Sequence, residues 1–130
     1  MSYQTKKENT MNTAAALKSD VTWKTLCSRA DLVARSGVAA WLASTDTQVA
    51  LLYLPGQTPE VYAVDNHDPF SNANVIARGI VGDIKGEPVI ASPIYKQHFR
   101  LADGVCVEDE NVHLRTWEVK LEGDDVMIRA

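Results

Sequence analysis

Residues 80–106 read IVGDIKGEPVIASPIYKQHFRLADGVC, and the punctuation of this stretch decides the fold. Ile80 to Lys85 and Glu87 to Ile90 are short apolar-rich runs on either side of Gly86. A glycine between two such runs supplies the positive φ that a tight hairpin needs. Gln97 to Leu101 is a third run, closed by the turn pair Asp103-Gly104. Runs this short, joined by turns this tight, are strands that pair antiparallel in sequence order.

The same rhythm extends in both directions. Val21 to Leu26 alternates apolar and polar residues, and Gly37 to Leu42 opens after a Ser-Gly turn. Gln48 to Leu54 is solidly apolar and stops at Pro55-Gly56, and Glu60 to Val64 ends at Asp65-Asn66. Downstream, Val112 to Leu121 and Val126 to Arg129 flank Glu122-Gly123-Asp124, a second hairpin. About eight or nine short strands at this spacing predict an all-β chain, an antiparallel β-sandwich or partly open barrel. One short helix is predicted over Ser28 to Ala34, with Ser28 as N-cap and Asp31 at N3. Asn66 to Arg78 breaks the alternation, and a loop of that length inside a compact domain is often functional.

The chain has 130 residues, 45% hydrophobic and 23% charged, which suits one domain with a core of its own. Residues 1–19 are polar and small and read as a flexible arm before a domain spanning 20–130. Lys6, Lys7 and Lys18 against Glu8 leave the arm at +2 and the rest at −6, within a net charge of −4. An acidic body of this kind argues against nucleic acid as a partner. No apolar run approaches the ~20 residues that cross a bilayer, so no membrane association is expected. With no apolar leader segment, the expected compartment is the cytoplasm, where Cys27 and Cys106 stay reduced and act as small hydrophobes.

Candidate chemistry is sparse. His67 and Asp68 form a pair that suits a base or a fragment of a metal site. The simpler reading, which we take, is an Asx turn leading into Pro69 with a solvated histidine. On a strand, His98 and Phe99 face opposite ways, which puts His98 on the polar face. The separations of His67, His98 and His113 match no metal-ligand pattern. Gly79, Gly82 and Gly86 lack the spacing of a dinucleotide loop and read as turn and bulge glycines. Asp103, Glu108, Asp109 and Glu110 surround Cys106 without the regular oxygen spacing of a calcium loop, and read as a solvated loop. Nothing beside Cys106 marks it as a nucleophile. No catalytic constellation emerges.

Two segments carry a resemblance. Tyr62-Ala63-Val64-Asp65-Asn66-His67-Asp68-Pro69-Phe70 and the stretch from Pro88 to Cys106 together resemble the two loops of a Rieske ferredoxin-type domain. In that family the first loop reads Cys-Pro-His and the second Cys-Pro-x-His, followed by a phenylalanine and a Gly-x-Cys turn. Laying proline on proline puts Asp68 and Phe70 at the first Cys and His, and Ser92 and Tyr95 at the second. Phe99 and Gly104-x-Cys106 stay in register. All four cluster-ligand positions are thus vacant in this sequence, and oxygen side chains and a phenylalanine replace thiolates and imidazoles poorly.

A Rieske-like fold without its ligands is similar to the small subunits of assimilatory NAD(P)H-dependent nitrite reductases. The likeness covers roughly residues 20–130 and rests mainly on Ser92-Pro93-x-x-Lys96-Gln97-His98-Phe99-x-Leu101-x-x-Gly104-x-Cys106. It implies a chain with no cofactor or small-molecule substrate of its own. Its partner would be a large subunit holding FAD, a [4Fe–4S] cluster and sirohaem, which reduces nitrite to ammonium. Under that resemblance, Phe70 and Pro69 are expected to pack on Tyr95 and Pro93 where a cluster would sit. The expected partner surface is Asn66, His67, Asp68, Lys96, Gln97 and His98. The competing reading is a Rieske-type electron carrier or ferredoxin-like subunit of an oxygenase.

Overall fold

The structure is a computed structural model that describes residues 22–130. The arm expected over 1–19 lies outside the described residues. Twelve strands form the described chain: β1 (Trp23–Ser28), β2 (Ser36–Leu42), β3 (Thr47–Tyr53), β4 (Val61–Asp65), β5 (His67–Asp68) and β6 (Ala73–Asn74), then β7 (Ile80–Ile84), β8 (Glu87–Ala91), β9 (His98–Arg100), β10 (Thr116–Trp117), β11 (Val119–Glu122) and β12 (Asp125–Arg129). All strand pairings between them are antiparallel.

The central sheet has the order β10-β4-β3-β2. Its third member explains the solidly apolar run of the sequence. Ala50, Leu52 and Leu54 point to one cluster with Ile90, Phe99, Leu101, Cys106 and Leu114, whereas Val49 and Leu51 point to another with Val126 and Ile128. A strand covered on both faces has no polar alternation to show. One outer sheet, β1-β12-β11, covers the second cluster, and the other, β7-β8-β9, covers the first. The fold is therefore a layered all-β sandwich, as the strand spacing predicts.

Three local expectations need adjustment. The helix expected over Ser28 to Ala34 is a single 3-10 turn, Arg29–Asp31, closed by Leu32 N–H on the Arg29 carbonyl. Its capping box is as read: Asp31 accepts from Ser28 N–H and Ser28 Oγ accepts from Ala30 N–H. Val112 to Leu121 is not one strand, because the chain leaves the central sheet after Trp117 and joins the outer sheet at Val119. Asn66 to Arg78 is not featureless, since it folds as the β5–β6 hairpin and a 3-10 turn at Ile76–Arg78.

Two glycines let that segment close on the body. A Cβ on Gly37 would stand 2.6 Å from the Ala77 carbonyl oxygen, and one on Gly79 would press still harder on that of Ala91. Both are closer than real Cβ contacts allow, so these positions require hydrogen. At the far side of the central sheet, Thr22 and Ala130 exchange backbone hydrogen bonds (3.1 and 3.4 Å), placing both ends of the described fold together.

Candidate functional site

The first loop is built around Asn66, the residue that follows β4. Asn66 is only 3% exposed. Its Nδ2 donates to Gln48 Oε1 (3.0 Å) and its Oδ1 accepts from Ala77 N–H (2.7 Å). Its backbone N–H donates to the Gln48 carbonyl, and its own carbonyl accepts from Ile76 N–H. One asparagine thus ties both ends of the loop to the central sheet. The β5–β6 hairpin turns through Asn72, in the left-handed region at φ 59°, with Asn72 N–H on the Asp68 carbonyl. Asparagine is among the few residues that tolerate that conformation.

The second loop runs from Ser92 to Gln97. Ser92 N–H donates to the Gln97 carbonyl (2.9 Å) and Lys96 N–H donates to the Ser92 carbonyl (3.1 Å). Lys96 itself sits at φ 68°. Ile94, Tyr95 and Lys96 are exposed on the outside of this turn.

The two loops meet at Asp68 and Ser92, both 0% exposed. Ser92 Oγ donates to Asp68 Oδ2 at 2.5 Å. Ser71 Oγ donates to the same oxygen (2.9 Å), and Phe70 N–H donates to Asp68 Oδ1 (2.9 Å). The last of these is the Asx turn expected before Pro69. Burial works to raise the Asp68 pKa, but the hydrogen bonds from Ser92, Phe70 and Ser71 outweigh it and hold the carboxyl below its ordinary value. The carboxylate is a buried anion whose charge is met by three donors.

Phe70 is half-buried and packs on Phe99, with ring centroids 6.1 Å apart at 42°. This contact stands in place of the packing expected with Tyr95, which is 60% exposed on the outer side of its turn. Of the expected partner surface, Asn66 and Asp68 are turned inward by the hydrogen bonds just described and present nothing to a partner. His67, Lys96, Gln97 and His98 keep some exposure. His67 Nδ1 lies 3.1 Å from Asn74 Oδ1. His98 Nδ1 lies 2.6 Å from Glu108 Oε2, and Glu108 Oε1 accepts from His98 N–H. Burial pushes the Glu108 pKa up, but the two contacts with His98 pull harder and leave it lowered. No sequence signal marks the exposed apolar side chains near these loops: Ile94 and Tyr95 stand on the outer turn, and Ile80, 71% exposed, pairs with Ala91.

Chemistry is limited elsewhere too. Burial pushes both the Cys27 and Cys106 thiols up, so each favours the protonated, unreactive form. Among the described residues no three His, Cys, Asp or Glu side chains gather at metal-binding distance. A groove of about 460 Å3 is lined by Tyr62, Leu101 and Trp117. Its one acidic side chain, Glu118, is engaged by Arg129 at 3.1 Å. Among the described residues no helix is long and apolar enough to cross a membrane.

Residues 22–129 match the Rieske-like [2Fe-2S] domain family. The chain is also 38% identical over 108 residues to the nitrite reductase (NADH) small subunit of Escherichia coli K12, covering 83% of this chain and 97% of that one. This chain belongs to the nitrite reductase small subunits, a Rieske-like family. The solution structure of the E. coli protein NirD superimposes with a TM-score of 0.74 at 37% identity, over 84% of this chain and 96% of that one. A further relative is the nitrite reductase [NAD(P)H] large subunit of Klebsiella oxytoca. It is 39% identical over 106 residues, which are 82% of this chain but 11% of that much longer one.

The family description carries a [2Fe–2S] cluster, which in Rieske centres takes two thiolates and two imidazoles. The residues of these loops do not fit it. Asp68 and Ser92 offer hard oxygen atoms already bonded to each other, Phe70 has no donor atom, and Tyr95 points outward. Cys27 lies in β1 and Cys106 in the core, neither in the two loops. No electron-transfer step follows from this donor set.

Proposed function

We propose that this chain is the non-catalytic small subunit of a cytoplasmic NAD(P)H-dependent nitrite reductase, and that it docks on and supports a large subunit which carries FAD, a [4Fe–4S] cluster and sirohaem. In this reading Asp68 and Phe70 stand at the first vacant Cys and His positions, and Ser92 and Tyr95 at the second. The chain holds no cofactor itself. The observation that carries the proposal is the match along 97% of a named small subunit, in a chain whose four loop positions lack the thiolates and imidazoles of a Rieske cluster. The Klebsiella relative supports it, because a segment similar to this chain is there part of a large subunit. Joining two partners in one chain makes their encounter intramolecular, which is useful only if they work together.

The docking surface is the outer side of the second loop, with Ile94, Tyr95 and Lys96, together with the exposed parts of His67 and His98. An apolar centre with a polar rim is the anatomy of a protein interface. The experiment is a pull-down of the full chain from its own cells, followed by absorption spectroscopy. A copurifying flavoprotein that contains sirohaem, with a colourless small chain, is the expected result. A brown small chain with visible absorption of its own refutes the proposal in favour of an electron carrier.

A further inference from the structure

We propose that Asp68 and Ser92 are positioning residues, whose hydrogen bond clasps the two loops together and so holds the outer turn Pro93–Lys96 in the shape that meets the partner chain. The clasp stands on geometry alone, while its purpose rests on the docking reading above.

The bond joins segments 24 residues apart in sequence and lies between two fully buried side chains, where water does not compete for either partner. Each side is anchored in its own loop. Asp68 is held by Phe70 N–H and Ser71 Oγ through its carboxylate and by Asn72 N–H through its carbonyl. Ser92 Oγ accepts from Ile94 N–H (3.3 Å), its carbonyl accepts from Lys96 N–H, and its N–H reaches the Gln97 carbonyl. The bonds that shape the exposed turn therefore converge on Ser92, and Ser92 is fastened across the gap to Asp68. The Phe70–Phe99 contact joins the first loop to β9 but does not reach this turn. A hydrogen bond to a buried carboxylate is short, strong and directional. Here it does the cross-linking that two loops of this fold otherwise receive from metal.

Amide hydrogen exchange on the full chain tests the clasp. Ser92→Ala removes the donor that crosses between the loops. Ser71→Ala removes a donor to the same Asp68 oxygen from within the first loop. A charge-assisted bond corresponds to about 10- to 100-fold in a local opening equilibrium. Ser92→Ala is expected to speed exchange by that factor at Lys96 and also at Phe70 and Asn72. Ser71→Ala is expected to speed it at Phe70 and Asn72 only. If Ser92→Ala leaves Lys96 within twofold of the natural chain, or if both variants give one pattern, the clasp is overturned. Affinity for the large subunit of the same organism is the second readout, with at least a fivefold loss expected for Ser92→Ala and none for Ser71→Ala. Loosened loops with unchanged affinity would refute the docking reading for this turn while leaving the clasp in place.

Discussion

Asn66→Ala is the substitution with the most to lose for the fewest atoms. Asn66 Oδ1 is the acceptor for Ala77 N–H at 2.7 Å, and the site is buried. Truncation leaves that N–H without a partner, at a cost of about 1–3 kcal/mol. The bond from Nδ2 to Gln48 is only part-buried, so Gln48 turns to water and the loss there is about 0.5–1.5 kcal/mol. The sum is about 1.5–4.5 kcal/mol, a large share of the ~5–15 kcal/mol that a domain usually has. For a domain near 100 residues this lowers Tm by about 7–22 °C. Urea unfolding followed by tryptophan fluorescence measures it, with Gln48→Ala as companion. The companion removes the weaker contact alone, so it is expected to lose under about 1.5 kcal/mol. If Asn66→Ala and Gln48→Ala destabilise equally, the Ala77 amide is not the larger contribution and the loop is not anchored as described.

Other outcomes follow from the same geometry. The Asp68 pKa is lowered on folding, so its contribution to stability is full above the unfolded value near 4 and disappears as pH falls through the folded value. Acid unfolding below about pH 4 should therefore be shallower in Asp68→Asn than in the natural chain, and parallel curves would contradict the assignment. Phe99 is fully buried and Phe70 only half, so Phe99→Ala should lose about 3–5 kcal/mol and Phe70→Ala distinctly less. Equal losses in chemical denaturation would mean that the Phe70 ring is as enclosed as Phe99. Lys96→Glu reverses an exposed charge without touching the core, and should weaken copurification with the large subunit while leaving Tm within about 2 °C. Undiminished copurification would move the docking surface elsewhere.

The strands were legible because their signals are local. Gly86 and Gly123 take positive φ at the two hairpins the sequence marks, and the apolar run before Pro55 forms β3. The Ser28–Asp31 capping box was legible too, although it caps one turn rather than a helix, since Leu32 is already extended. The switch of sheets near Glu118 was not, because no turn residue marks it; the Glu118 carbonyl simply accepts from Arg129 N–H as the chain changes layers. Asn66 and Asp68 read as ordinary turn residues, and Ser92 only as a vacant ligand position under the resemblance. Their partners lie 11, 18 and 24 positions away, and no periodic pattern announces a pair at such separations. The resemblance paired the two loops that meet in the structure, yet it pointed to an aromatic contact where the structure has a carboxylate and a hydroxyl.

The hydrogen bonds between Thr22 and Ala130 bear on how such a domain travels through evolution. Its entrance and exit are side by side, on the layer opposite the two loops. Splicing it into another polypeptide opens a gap only one strand spacing wide, so the host loses little chain entropy and keeps its own path. Ends that leave side by side let a domain be joined to another chain without disturbing its strands.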